Sequence, residues 1–379
     1  MTLIALRMLM ADTAKYYGLI FAIAFSTFLI SQQVSVFVSL MARTTSQIRD
    51  VVDAEIWVMH PETQYVDELK PLSENSLYAV RSTPGVAWAV HLSRGLPQAK
   101  TENGKYRAVI LMGVDDATLV GVPRKMVVGS VAALRQPDAV IIDRLGYEDF
   151  FPGQPYALGR VLEMNDRRAR IVGVVDSSPP FVTFPVVYTR YTESLHYQGQ
   201  GRDTLAVILA QPMPGVPLAE VCRRIQARTG LLALTRTDFG WMTMWFYGMH
   251  TGIPANFGVI VAVGIVVGMV VAGQTLYLFT IDNLQQYGTL KAVGFTNRAV
   301  VRMVLLQSAV IGIIGYAFGI AMCVTFFLIT KDVPHLRGFI TYYEILGGTG
   351  VLMAAIVLAA SILSVRRVVT LEPAIVFRG

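Results

Sequence analysis

Residues Phe257–Phe279 read FGVIVAVGIVVGMVVAGQTLYLF, a run without a single charge. The hydrocarbon core of a bilayer needs about 20 apolar residues as helix, and this run supplies them. It sits inside a longer charge-free window, Phe239–Ile281. Three more such windows lie between Lys15 and Arg43 (apolar centre Leu19–Leu40), between Arg302 and Lys331, and between Glu344 and Arg366. A soluble fold offers no apolar partner for four helices of this length. Composition agrees: of 379 residues, 54% are hydrophobic and 15% charged. Soluble domains carry about 25% charged residues, so a wholly soluble or disordered chain is excluded. The fold class expected is a membrane protein with four transmembrane α-helices, one plus three, and a large α+β extracytoplasmic domain between the first and second.

The first window exceeds the roughly 7–15-residue apolar core of a signal peptide. Leu40-Met41-Ala42-Arg43 also lacks a small-x-small cleavage site, so the window reads as a retained anchor. Basic residues near the spans set orientation. Arg7, Lys15, Lys291, Arg298, Arg302, Arg366, Arg367 and Arg378 fall on one side with only Asp12, Asp282 and Glu372, so five of the six net positive charges gather there. That side is expected to be the cytoplasm, with both termini in it and the chain in a bacterial inner membrane.

The expected layout is a cytoplasmic amphipathic entry helix at 1–16, a span at 17–42 and an outside domain at 43–250. A second span at 255–281, a cytoplasmic loop at 282–302 and a third span at 303–330 follow. A short outside loop at 331–344, a fourth span at 345–365 and a cytoplasmic tail at 366–379 complete it. Cys222 falls outside and Cys323 within the third span, so no disulfide is expected to join them.

The outside domain shows short apolar runs that read as strands: Glu55–Met59, Val86–Val90, Ala108–Met112, Ala139–Ile142, Ala169–Val175 and Leu205–Leu209. Turn signals such as Pro84-Gly85, Asn103-Gly104 and Pro152-Gly153 separate them. Two helices are expected, one capped by Ser73 and one opening near Pro217 and closing at Gly230. The domain divides into one or two subdomains on this pattern, with Gln198-Gly199-Gln200-Gly201 as a flexible excursion. The Pro- and aromatic-rich Ser177–Tyr191 is a stiffened loop on its own domain or a contact surface. Trp241, Trp245, Phe246 and Tyr247 read as an interfacial aromatic belt before the second span.

Catalytic signatures are missing. Gly104-Lys105 is followed by Tyr106 without the Walker A spacing, and GxSxG, HExxH and CxxC do not occur. His60, His91, His196, His250 and His335 are dispersed without metal-ligand spacing. Asp115-Asp116 reads as a solvated turn whose side chains diverge. The chain is expected to be a non-catalytic subunit with no cofactor, metal or nucleic-acid partner of its own. No Asp, Glu, Lys or Arg lies at mid-depth in a span, which weakens an ion-coupled carrier. Ser31, Ser35 and Ser39 share a helix face. With the small-xxx-small pairs Gly264/Gly268 and Gly315/Gly319 they point to close helix packing, a substrate-facing stripe being the alternative for the serines.

The segment Asp282–Arg298 holds a polar helix end, a short turn bracketed by Gly288 and Gly294, and Thr296-Asn297 to cap the next helix. It is a lever for a cytoplasmic partner or a plain turn between spans. Its Gly288, Leu290, Lys291, Ala292 and Gly294 resemble the cytoplasmic loop of the MacB/FtsX-type (type VII) ABC transporter permeases, with Gln286 where that family often carries Glu. The ending Arg366-Arg367, Glu372-Pro373-Ala374 and Arg378, the start Leu3, Leu6, Arg7 and Leu9, and the one-plus-three layout are similar too. Ile56-Trp57-Val58, Pro84-Gly85-Val86, Val114-Asp115-Asp116, Val140–Arg144 and Arg170–Gly173 resemble the DevC branch.

The resemblance implies a permease subunit of an ATP-driven export complex that moves periplasmic or membrane-derived cargo. It implies separate cytoplasmic ABC ATPase subunits holding ATP and Mg, a second permease chain in a homodimer, and membrane lipid around the spans. The DevC branch further implies a periplasmic membrane-fusion adaptor and an outer-membrane channel. The residues expected to couple to the ATPase are Gln286, Tyr287, Gly288, Lys291 and Gly294; Lys291 reads equally as a positive-inside anchor. The rivals are a mechanotransmission complex that activates an outside partner such as a cell-wall hydrolase, an anchored receptor without an ATPase, and an ectodomain enzyme. Cargo is not legible.

Overall fold

The computed structural model describes residues 2–199, 205–331, 333 and 336–369. It divides into two compact units, Met1–Ser39 with Gly252–Gly379, and Leu40–Thr251. The chain enters through α1 (Thr2–Ala11) and α2 (Thr13–Thr44). Then come α3 (Ser46–Asp50), β1 (Ile56–Met59), α4 (Glu74–Arg81), β2 (Val86–Gly95), β3 (Gln98–Thr101), β4 (Tyr106–Ala108), β5 (Ile110–Val114) and β6 (Met126–Gly129). β7 (Ala139–Asp143), α5 (Arg144–Phe150), β8 (Val161–Met164), β9 (Arg167–Val175), β10 (Val186–Arg190) and α6 (Tyr191–Gln198) continue the unit. β11 (Val207–Pro212), α7 (Leu218–Thr229), β12 (Leu232–Thr235) and α8 (Arg236–His250) close it. The last helices are α9 (Ile253–Asp282), α10 (Leu284–Ala292), α11 (Asn297–Thr330) and α12 (Tyr343–Val369).

Among the described residues, twelve strands form one sheet in the order β12-β1-β11-β2-β5-β10-β7-β9-β8-β3-β4, with β6 on β9. β2 joins its two lobes: Val86–Leu92 pairs with β11, and Ser93–Gly95 with β5. The anticipated subdomains are therefore lobes of one continuous sheet. Side chains alternate between two cores, as a pleated strand requires. In β1, Ile56 and Val58 pack beside Leu77, Val221 and Ile225 from α4 and α7, while Trp57 and Met59 enter the core that holds Phe239. In β7, Val140 and Ile142 face one core and Ala139 and Ile141 the other. Burial on both faces is why these strands read as unbroken apolar runs.

All six expected strands are present with changed bounds; the one expected at Val86–Val90 runs on to Gly95. Ala108–Met112 divides between β4 and β5 because the Val109 N–H donates to Pro97 O (3.0 Å) instead of a ladder partner. Leu205–Leu209 starts later, as β11 from Val207. α7 follows Pro217 and ends at a left-handed Gly230 (φ 70°) as expected. Ser73 does sit at the start of α4, but its hydroxyl meets that of Ser76 (3.1 Å) and caps no backbone N–H.

The aromatic belt divides. Trp241 and Trp245 are exposed, whereas Phe246 stacks on Tyr65 (4.0 Å) and the Tyr247 hydroxyl donates to Asp67, which also takes Arg94. Side chains three or four apart share a helix face, so α8 turns one pair outward and one inward. The stretch Ser177–Tyr191 is a loop only up to Pro185: Val186–Arg190 is the central strand β10, paired with β5 and β7, and Tyr191 opens α6. The loop part packs on its own unit through Phe181 against Tyr247 (4.7 Å), with Val182 and Phe184 exposed. Gln198 ends α6 at a left-handed Gly199; residues 200 and 201 lie outside the described residues, as do His335 and Glu372, Pro373, Ala374 and Arg378.

Among the described residues, four helices are long and apolar enough to cross a membrane: Thr13–Thr44, Ile253–Asp282, Asn297–Thr330 and Tyr343–Ile362. The spans expected at 17–42, 255–281, 303–330 and 345–365 fall within α2, α9, α11 and α12. The small-xxx-small pairs do press against α2. A Cβ on Gly264 would meet Ile30 at 3.0 Å, and one on Gly268 the Ser26 hydroxyl at 2.9 Å. On Gly315 it would meet Ile23 at 2.8 Å, and on Gly319 both the Ala24 carbonyl oxygen and Thr27 Cβ at 2.5 Å. Ser31 and Ser35 are fully buried, which makes them packing residues between helices rather than an open stripe. Both cysteines are free and buried.

Candidate functional site

The segment between α9 and α11 folds as the separate short helix α10. The α9 end is fixed by Lys15, which reaches both Asp12 (2.7 Å) and Asp282. α10 stops at Gly294, whose φ of 104° is left-handed and suits a residue without Cβ. The Gly294 N–H donates to Lys291 O and the Phe295 N–H to Leu290 O, each at 3.0 Å. Those two bonds form a Schellman closure. Leu290 and Phe295 complete it by packing on the same small core. Thr296 then caps α11, its hydroxyl accepting from the Ala299 N–H (3.4 Å). The Lys-Ala-x-Gly spacing is thus explained locally: it ends one helix and aims the next.

That small core holds Ala5 and Met8 of α1, Tyr287 of α10, and Val300, Met303 and Val304 of α11. Tyr287 is completely buried. Its hydroxyl donates to Gln307 Oε1 (3.0 Å), and Gln307 Nε2 donates to Ala5 O (2.8 Å). Burial pushes the Tyr287 hydroxyl up to about 12, so it stays a donor at any physiological pH. A polar relay therefore ties α10, α11 and α1 together beneath the loop.

The five expected coupling residues separate by exposure. Gln286 and Gly294 are exposed, Lys291 is half-buried with its pKa lowered by burial, and Tyr287 and Gly288 are buried. Of the five, Tyr287 and Gly288 thus lie beneath the exposed face, where Tyr287 braces α10 through Gln307. Residues not named for coupling complete the outer face, namely Gln285, Thr289, Ala292 and Val293, the last 76% exposed. Gln307 and Ala5 were missed as well; a lone glutamine in the apolar Arg302–Lys331 window was the available signal.

A second cluster corrects the reading of Asp115-Asp116. His91 on β2 lies 3.6 Å from Asp115 and 3.8 Å from Asp116, and its ring is 4.0 Å from that of Tyr191. Asp115 is buried and accepts from the Thr118 N–H and hydroxyl; Asp116 accepts from the Thr192 hydroxyl (2.6 Å). The two acids converge on one histidine where the lobes join. Among the described residues no group of three or more His, Cys, Asp or Glu is arranged to hold a metal.

The MacB-like periplasmic core domain matches residues 19–228, and the FtsX-like permease C-terminal domain matches residues 258–373. An uncharacterized ABC transporter permease of Mycobacterium tuberculosis is 26% identical over 227 residues, 59% of this chain and 58% of that protein. The chain thus spans somewhat over half the length of that relative. One from Mycobacterium bovis is 26% identical over 315 residues, 82% of this chain and 80% of the relative. Among solved structures, the periplasmic region of MacB from Actinobacillus actinomycetemcomitans is similar at 13% identity and TM-score 0.38, over 51% of this chain and 94% of that one. With the first of those domains covering more than half its length and the second most of the remainder, the chain belongs to the permease family built from a MacB-like periplasmic core and an FtsX-like membrane domain.

Proposed function

We propose that the chain is the permease subunit of an ATP-driven ABC export complex. The observation that carries this is α10: a short helix between two spans, exposed on the side of Gln286 and Val293 and locked beneath by Tyr287, Gln307 and Ala5. Separate cytoplasmic ATPase subunits bind ATP and Mg and close against that outer face. Because the relay joins α10 to α11 and α1, a push on the face moves the helix bases together instead of bending the loop. The spans deliver that motion to the sheet domain, which acts on periplasmic or membrane-derived cargo. Two copies form the working pair, in the inner membrane with both termini cytoplasmic. The DevC-like cues extend the reading to a membrane-fusion adaptor and an outer-membrane channel. Hydrolysis stays with the partner.

The test is purification of the tagged chain from native membranes in mild detergent, after crosslinking, with mass spectrometry of what accompanies it. A stoichiometric protein with a Walker A sequence is expected, and a co-eluting adaptor would place the complex in export. A cell-wall hydrolase in place of the adaptor would instead assign the motion to signalling. Absence of any ATPase from crosslinked samples would overturn the proposal.

A further inference from the structure

The Ser82–Gly85 turn joins α4 to β2, and two arginines of α7 lie across it. Arg228 Nη1 donates to Ser82 O (2.9 Å) and Arg224 Nη1 to Pro84 O (3.3 Å). Gly85 is left-handed (φ 97°), and a Cβ there would stand 3.2 Å from Arg224 Nη1. From α4, Arg81 Nε donates to Ala89 O (2.7 Å). Arg223 pairs with Glu220, which also takes Arg224 Nε (3.0 Å). Four exposed arginines thus gather around one turn, and Glu220 is the single acid bonded to them among the described residues.

The backbone carbonyls fix these heads and leave most of their donors unused. A guanidinium carries five N–H groups. Arg81 and Arg228 each spend one here, and Arg224 two. Heads already held lose less freedom when they bind. The concentration of charge is also local. Over residues 43–250, 22 Lys and Arg stand against 21 Asp and Glu, so this face is not a sample of a basic domain.

The residue types select the partner. No lysine occurs between Lys70 and Lys100 or between Lys125 and Lys291, so every cation here is an arginine. Lysine is a point charge, whereas the arginine fork matches a carboxylate bidentately. Tyr78 and Met213 are exposed beside the arginines. Both border the same turn: the Ser82 N–H donates to Tyr78 O (3.0 Å) and the Met213 N–H to Gly85 O (2.8 Å). Arginine, aromatic residues and methionine are enriched, and lysine depleted, where proteins dock. A helix that binds lipid inserts an apolar face, and α7 has spent its own, Val221, Cys222 and Ile225, in the core.

We propose that this face docks an acidic segment of another protein, whose carboxylates take Arg224 and Arg228 and whose apolar side chains cover Tyr78 and Met213. The proposal is independent of any ATPase.

The test titrates the full-length protein in dodecyl maltoside against a fluorescein-labelled peptide of glutamates and leucines, read by anisotropy. Binding is expected at low salt, weakening as salt screens the pairs, and absent when glutamine replaces glutamate in the peptide. Arg224→Gln/Arg228→Gln should weaken it about tenfold, and Tyr78→Ala several-fold. Arg224→Lys/Arg228→Lys keeps the charge and should still weaken it several-fold, because the fork is lost. Lys100→Gln/Arg107→Gln, a basic pair on β3 and β4, should leave it unchanged. Failure of the unaltered protein to bind the acidic peptide would overturn the proposal, whatever the variants do. Full retention of binding in Arg224→Gln/Arg228→Gln, or equal weakening by the β3–β4 pair, would overturn it too. Displacement of the peptide by dihexanoyl phosphatidylglycerol would give the arginines to a lipid headgroup instead.

Discussion

The sheet unit and the helical unit are held together by opposite kinds of residue. In the sheet unit, large side chains are fully buried: Trp57, Tyr147, Tyr197 and Phe239 are at most 1% exposed. Between the long helices, the closest approaches are made by Gly264, Gly268, Gly315 and Gly319 against α2. The difference lies in the solvent each unit folds against. Water drives apolar area out of contact with itself, so bulk is stabilising in the sheet. Lipid is as apolar as leucine, so helix association depends on close packing, which small residues allow.

The contrast is sharpest when an apolar side chain is truncated. Trp57 packs 5.4 Å from Phe239, ring to ring. Trp57→Ala should cost about 3–5 kcal/mol, read as a fall in the unfolding midpoint of the sheet unit by circular dichroism. Val270→Ala on the exposed face of α9 (57% exposed) should cost close to nothing, since lipid fills the space. Equal costs would break the comparison.

The sheet also buries a carboxyl, and that makes it sensitive to pH. Asp143 caps α5, accepting from the N–H groups of Gly146 (3.2 Å) and Val186 (2.7 Å). Complete burial outweighs those donors and pushes its pKa from 3.8 up to about 7. The folded state then holds a proton that the unfolded chain has released. The stability contributed is full below about pH 4 and is lost as pH rises through 7. Three units at about 1.4 kcal/mol each set an upper bound near 4 kcal/mol. Asp143→Asn keeps the accepting oxygen and cannot ionise. The unaltered protein should lose thermal stability between pH 5 and 8 while Asp143→Asn loses much less; parallel pH profiles would sink this account.

What was legible in the sequence follows the same line. The spans and about half of the strands could be read because each depends on a local periodicity or an unbroken apolar run; β3, β6, β8, β10 and β12 were not anticipated. Gly294 could be located because a helix stop is a local event. Tyr287, Gln307 and Ala5 could not be joined, since the bonds linking them cross from residue 5 to residue 307 and obey no spacing rule. Asp115 and Asp116 were expected to diverge in a solvated turn. They do lie in the turn after β5, which ends at Val114, but both approach His91 of β2, a contact with no sequence spacing to announce it. The Trp241–Tyr247 cluster was read as one belt from composition; only the helical phase of α8 shows that it has two faces.

Glycine in the bundle gives the smallest of these effects and the most diagnostic sign. On propensity alone, Gly→Ala inside a helix stabilises by about 0.5–1 kcal/mol. At Gly348 of α12 nothing lies within 4 Å of an added Cβ, so propensity should act unopposed. At Gly319 the same methyl would stand 2.5 Å from the Ala24 carbonyl oxygen. That atom belongs to the α2 backbone and cannot rotate aside as a side chain does. The helices must separate, and overpacking of this kind costs about 1–3 kcal/mol. Detergent-titrated unfolding of the full-length protein in mixed micelles should therefore move in opposite directions for Gly348→Ala and Gly319→Ala. If both substitutions stabilise, α2 and α11 do not touch at Gly319, and small residues do not hold this bundle together.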